Sequence, residues 1–70
     1  MRDTQTVLVN GKEHPHMEGM TVTSLLSALP GVSGNVVVEV NAVIIPRGRF
    51  GETLLNAGDR IEIVHFVGGG

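Results

Sequence analysis

Three glycines, Gly68-Gly69-Gly70, close the sequence and follow its most apolar segment, Ile61-Glu62-Ile63-Val64-His65-Phe66-Val67. Glycine has no Cβ and enters backbone conformations closed to other residues, so three in a row ending in a carboxylate can thread a channel too narrow for any side chain. The group such an end offers is the carboxylate itself. The plain alternative is a flexible spacer, the ordinary use of glycine-rich ends. The remaining candidates are sparser. His14 and His16 alternate along an extended segment and share a face, a spacing that offers a metal two ligands. A structural zinc site wants four, and no cysteine is present to complete it, so the pair reads as solvated polar residues. His65, two residues from Ile63, reads as a partly buried residue at the margin of the core rather than as a base, because no Ser or Cys nucleophile has a motif around it. Arg47 and Arg49 are either solvated turn residues or a docking point for an acidic surface. Gly48-Arg49-Phe50-Gly51 lacks the spacing and the helix of a phosphate-binding loop.

The elements that must position these groups fit in one small domain. Seventy residues hide only roughly 60% of the surface an unfolded chain exposes. With Phe50 and Phe66 as the only aromatics, the core must be aliphatic. No apolar run is long enough to span a bilayer, and the polar start Met1-Arg2-Asp3-Thr4-Gln5 has no signal core, which places the protein in the cytoplasm. The absence of cysteine suits that reducing compartment. A net charge of −2 and five scattered basic residues leave no stripe for nucleic acid.

Asn10-Gly11 predicts a hairpin between Gln5-Thr6-Val7-Leu8-Val9 and the polar segment 12–17, whose Pro15 suits only a sheet edge. Thr21 stands as the cap of a helix of about two turns that buries Val22, Leu25, Leu26 and Leu29 and stops at Pro30-Gly31. The run 36–40 alternates Val36, Val38 and Val40 inward against Val37 and Glu39 outward. Asn41-Ala42 then turns the chain into Val43-Ile44-Ile45, which Pro46 stops. Residues 47–55 read as a turn and a loop of helix with Phe50 and Leu54 tucked under the sheet. Asn56-Ala57-Gly58-Asp59 launches a last strand, Arg60 to Phe66, with Ile61, Ile63 and His65 on one face and Glu62, Val64 and Phe66 on the other. The outward Val37, Val64 and Phe66 form an apolar patch open to partners, with the equal alternative that Phe66 folds over the core. One helix among about five strands is a two-layer α+β domain spanning residues 1–67, with 68–70 as a flexible glycine tail.

That order resembles the ubiquitin-like β-grasp fold, and within it the ThiS family, the sulfur carriers of thiamine biosynthesis. The likeness is carried by Val9-Asn10-Gly11, by Thr21-Val22 with Leu25-Leu26, by Val40-Asn41 with Ile45-Pro46-Arg47, by Ala57-Gly58-Asp59 with Ile61 and Ile63, and by the terminal glycines. The resemblance implies a mixed sheet with one main helix on one face, and a carrier rather than an enzyme. An E1-like adenylating enzyme would activate the carboxylate of Gly70 with ATP and magnesium, and a sulfur donor protein would displace AMP to leave a thiocarboxylate for thiazole synthase. Gly68 and Gly69 would thread the partners' active sites, and the chain itself would hold no cofactor and no metal. Within the same fold the small subunit of molybdopterin synthase, or a carrier for another sulfur metabolite, is the near alternative. From another class comes a ubiquitin-like interaction module whose glycines are a spacer.

Overall fold

Asn10 and Gly11 both take positive φ angles, 48° and 85°, and so close a two-residue hairpin whose twist matches that of its strands. Strand β1 (Thr6–Val9) and strand β2 (Lys12–Pro15) pair antiparallel through it, with Val9 opposite Lys12 and Val7 opposite His14. The computed structural model describes residues 5–32 and 35–65. Strand β2 ends at Pro15, two residues earlier than its composition suggests, although the His16 amide still donates to the Gln5 carbonyl at 3.0 Å. It lies at the sheet edge, where a proline deprives no neighbour of a donor.

Helix α1 (Val22–Ala28) begins at Thr21, whose Oγ1 accepts from the Ser24 amide at 3.1 Å while Ser24 Oγ accepts from the Thr21 amide at 2.8 Å. This reciprocal box satisfies donors that an uncapped helix would leave open. Val22 and Leu25 are buried, and Leu26 and Leu29 pack partly buried against them. Leu29, forced out of helical geometry by Pro30, sits extended at φ −94°, ψ 129°. Seven residues are too few for a self-sustaining helix, so the cap and the buried stripe hold it. Thr21→Ala is expected to cost about 1 kcal/mol. Thermal unfolding followed by circular dichroism should show it as a fall in Tm of roughly 4–8 °C.

Strands β3 (Val36–Val40) and β4 (Val43–Ile45) form the second hairpin, turned by Asn41 and Ala42 at φ 51° and 72°. A 3-10 helix, Arg47–Glu52, follows, and the last strand is β5 (Arg60–His65). The sheet order is β2-β1-β5-β3-β4, so β5 is central, parallel to β1 and antiparallel to β3. This is the mixed five-stranded sheet with one main helix that the resemblance implied. Val7, Val9, Val22, Leu25, Val36, Val38, Leu55, Ile61 and Ile63 make its core, which is wholly aliphatic.

One position is out of phase with the sequence reading. Phe50 does pack against the core, but Leu54 is 63% exposed and Leu55 takes the inward place at 2%. Residues 53–55 run extended, not helical: Val22 N donates to Thr53 O, Leu55 N donates to Met20 O, and Leu54 forms an isolated antiparallel bridge with Thr21. An extended backbone alternates its side chains, and this bridge turns Leu55 inward.

Candidate functional site

The site is built on β5 and on what fixes it. On its β1 side, the Asn10 amide donates to the Ile61 carbonyl at 2.9 Å, and the Asn10 side chain then extends the ladder as a peptide group would. Its Oδ1 accepts from the Ile63 amide at 2.8 Å and its Nδ2 donates to the Ile63 carbonyl at 3.2 Å. Sequence reasoning assigned Asn10 only to the turn. The positive φ that suited the turn is also what lets this side chain reach strand β5. Asn10→Ala should destabilise the fold by about 1–3 kcal/mol, since it leaves both Ile63 groups without their partner. Hydrogen exchange should show the Ile63 amide losing protection first.

On the other side of β5, the ladder with β3 sets Val37 opposite Val64 and Glu39 opposite Glu62. These four residues alternate with the buried Val36, Val38, Ile61 and Ile63, so they occupy the face away from α1. Two of the three residues expected in the apolar patch, Val37 and Val64, are thus brought together as a cross-strand pair, with Val64 52% exposed. Phe66, the third, and Gly68, Gly69 and Gly70 lie outside the described residues. Ile44, across from Glu39 on β4 and exposed, extends the same face and was missed. The signal for it was present: Val43-Ile44-Ile45 is apolar throughout, and a strand must turn one face of such a run outward.

Two histidines differ from their sequence reading. His65 is exposed rather than partly buried, because it stands opposite Val36 at the last rung of the described β3–β5 ladder and has no further rung to cover it. His16 is half-buried and not simply solvated: its Nε2 lies 2.7 Å from the Leu55 carbonyl, which can only accept, so Nε2 carries the proton. That bond ties the end of the edge hairpin to the segment that buries Leu55. Among the described residues no three His, Cys, Asp or Glu side chains gather as a metal site, and no Ser or Thr hydroxyl is hydrogen-bonded to a histidine.

Arg47 donates from Nη2 to Asn35 Oδ1 at 3.0 Å, and Arg49 pairs with Glu52 at 3.7 Å with both side chains exposed. A pair that exposed contributes little. Gly48 to Gly51 belong to the 3-10 helix and form no anion cradle. What the described residues can do, then, is present a surface and hold a strand rigid. No helix among them is long and apolar enough to cross a membrane.

Comparison with known proteins agrees with that limited chemistry. The ThiS family profile matches residues 4–70. The sulfur carrier protein ThiS of Bacillus subtilis is 46% identical over 50 residues, covering 71% of this chain and 76% of that protein. The thiazole synthase of Paramagnetospirillum magneticum is 41% identical over 64 residues, which is 91% of this chain but 20% of that protein. The chain therefore spans about a fifth of the length of such relatives. The crystal structure of a thiamine biosynthesis protein (ThiS) from Geobacter metallireducens superposes with a TM-score of 0.73 at 38% identity, covering 93% of this chain and 99% of that one. By profile, sequence and fold, this chain belongs to the ThiS family.

Proposed function

We propose that the chain is a sulfur carrier of thiamine biosynthesis and works as a substrate of other enzymes, not as a catalyst. The observation that carries this reading is the place of β5: the strand leading to the glycines is the central one, hydrogen-bonded to β1 and β3 and pinned by Asn10. A base this rigid confines the ordering cost of docking to the few residues beyond it.

In the proposed sequence an E1-like adenylating enzyme, using ATP and magnesium, joins the Gly70 carboxylate to the α-phosphate and releases pyrophosphate. A sulfur donor protein then attacks the acyl carbon, and AMP leaves. Cleavage of the donor's bond to the transferred sulfur leaves a thiocarboxylate. Activation splits one difficult substitution into two easier ones, because a carboxylate oxygen is a poor leaving group and AMP a good one. The domain supplies the acyl group, and Gly68 and Gly69 supply a stalk without side chains. Thiazole synthase is the proposed acceptor, supported by relatives of that name in which a segment similar to this chain makes up about a fifth of the length.

Intact-mass measurement after incubation with ATP, magnesium, a sulfur source and the adenylating enzyme of the same organism tests the reading. A gain of one sulfur for one oxygen supports it. An unchanged mass with active partners would return the chain to the class of interaction modules.

A further inference from the structure

The outer face of the sheet carries a charge arrangement that the fold does not need. Glu39 and Glu62 are directly opposite each other on β3 and β5, and side chains in that relation have Cβ atoms roughly 4.5–5.5 Å apart. Like charges so placed destabilise a sheet. Among the described residues no basic side chain lies within ion-pair distance of either carboxylate. Around them the face is acidic: Glu13 and Arg60 both stand opposite Leu8, which points outward between the buried Val7 and Val9. Three described carboxylates therefore share that face with one described base, Arg60.

Next to the acidic pair, one rung nearer the end of β5, is the apolar pair Val37 and Val64. The two rungs on this face are separated by two residues, about 7 Å along the strand. Read from the tail end inward, the face offers an apolar contact and then a receptor for positive charge. Ile44, exposed beside Glu39, widens the apolar border.

We propose that these two rungs are the docking surface for thiazole synthase, whose matching surface sets an apolar side chain on Val37 and Val64 and an Arg or Lys between Glu39 and Glu62. This deepens the carrier reading and rests on it. Charge complementarity identifies the partner's chemistry, and the relatives identify the partner. In a thiazole synthase that holds the similar segment in its own chain, a tether keeps the local concentration high, whereas a separate carrier must find its partner through its surface. The repulsion between Glu39 and Glu62 in the free domain becomes attraction for a cation in the complex.

The test compares the wild type with Glu39→Gln, Glu62→Gln and the double variant. Thermal melts are combined with calorimetric titration of thiazole synthase from the same organism at low and physiological salt. Removing the repulsion should raise the Tm of the double variant by roughly 1–5 °C. The same variant should bind about tenfold more weakly, with the single variants between, and should lose most of the salt dependence seen for the wild type. Unchanged affinity overturns the proposal, as does a fall in Tm alongside the loss of binding, which would make the glutamates structural. A wild type that acquires sulfur but does not bind the synthase overturns the docking surface and leaves the carrier chemistry standing. A wild type that binds but is never converted overturns the carrier chemistry, and the double variant still decides the surface.

Discussion

Deletion of Gly69 and Gly70 abolishes thiocarboxylate formation while the truncated domain melts at the temperature of the full chain. Both halves of this expected result follow from where the work is divided. The reacting carbon belongs to Gly70, so its removal leaves nothing to adenylate in the right place. The described core, by contrast, ends at Ile63, six residues before the deletion begins. One residue added after Gly70 should be equally damaging, because it buries the former carboxylate in a peptide bond and sets a side chain where a narrow channel expects none. Gly68→Ala should be tolerated better than Gly69→Ala, since Gly68 lies further from the reacting carbon. Intact mass under identical conditions ranks the variants, and equal losses at Gly68 and Gly69 would contradict the gradient.

Leu25→Ala is expected to leave the domain largely unfolded at room temperature. Leu25 is 2% exposed and is among the largest fully buried side chains of an aliphatic core. Truncating a buried leucine costs about 2–5 kcal/mol through lost transfer energy and the cavity left behind. At the usual 0.05–0.15 kcal/mol per residue, a chain of this length has roughly 4–10 kcal/mol in total. Leu54→Ala is the informative contrast. A sequence-based core that included Leu54 predicts a similar loss, but at 63% exposure its truncation should change stability by no more than about 0.5 kcal/mol. Urea denaturation of the two variants side by side measures both.

Local features were legible because local chemistry decides them. Asn10-Gly11 could hardly be other than a tight turn, Thr21 had a helix to cap, and Pro30 fixed where that helix stops. The valines of β3 declared their faces by alternation. The phase of residues 53–55 was not legible, because a bridge from Leu54 to Thr21, 33 positions away in sequence, sets it. The same holds for the Asn10 side chain, whose partner is separated from it by 53 positions. His16 and His65 show the other gap: their exposure depends on which backbone happens to lie alongside, the Leu55 carbonyl for one and the end of a ladder for the other. The strand order was reached by resemblance, since nothing in the composition of β1 and β5 says that they run parallel. As for the candidate site, Val37 and Val64 were legible from alternation, whereas the opposition of Glu39 and Glu62 needed the register.

The central position of β5 has a consequence for how the protein is made. Without β5 the sheet is two separate hairpins, β1 with β2 and β3 with β4, each showing an unpaired edge to solvent. The strand that joins them is the last of the described strands to be synthesised, and its parallel pairing with β1 closes a loop from Leu8 to Arg60. Contacts of such long range are slow to form, because the entropy of closure is lost before any packing offsets it. Folding is therefore deferred until nearly the whole domain has been translated, and it is completed by the strand that leads to the tail. A nascent, truncated or misfolded chain has no ordered β5 and so no rigid base for its glycines. Correct folding thereby acts as a checkpoint: only a finished domain offers its terminus for activation, and ATP is not spent on incomplete copies.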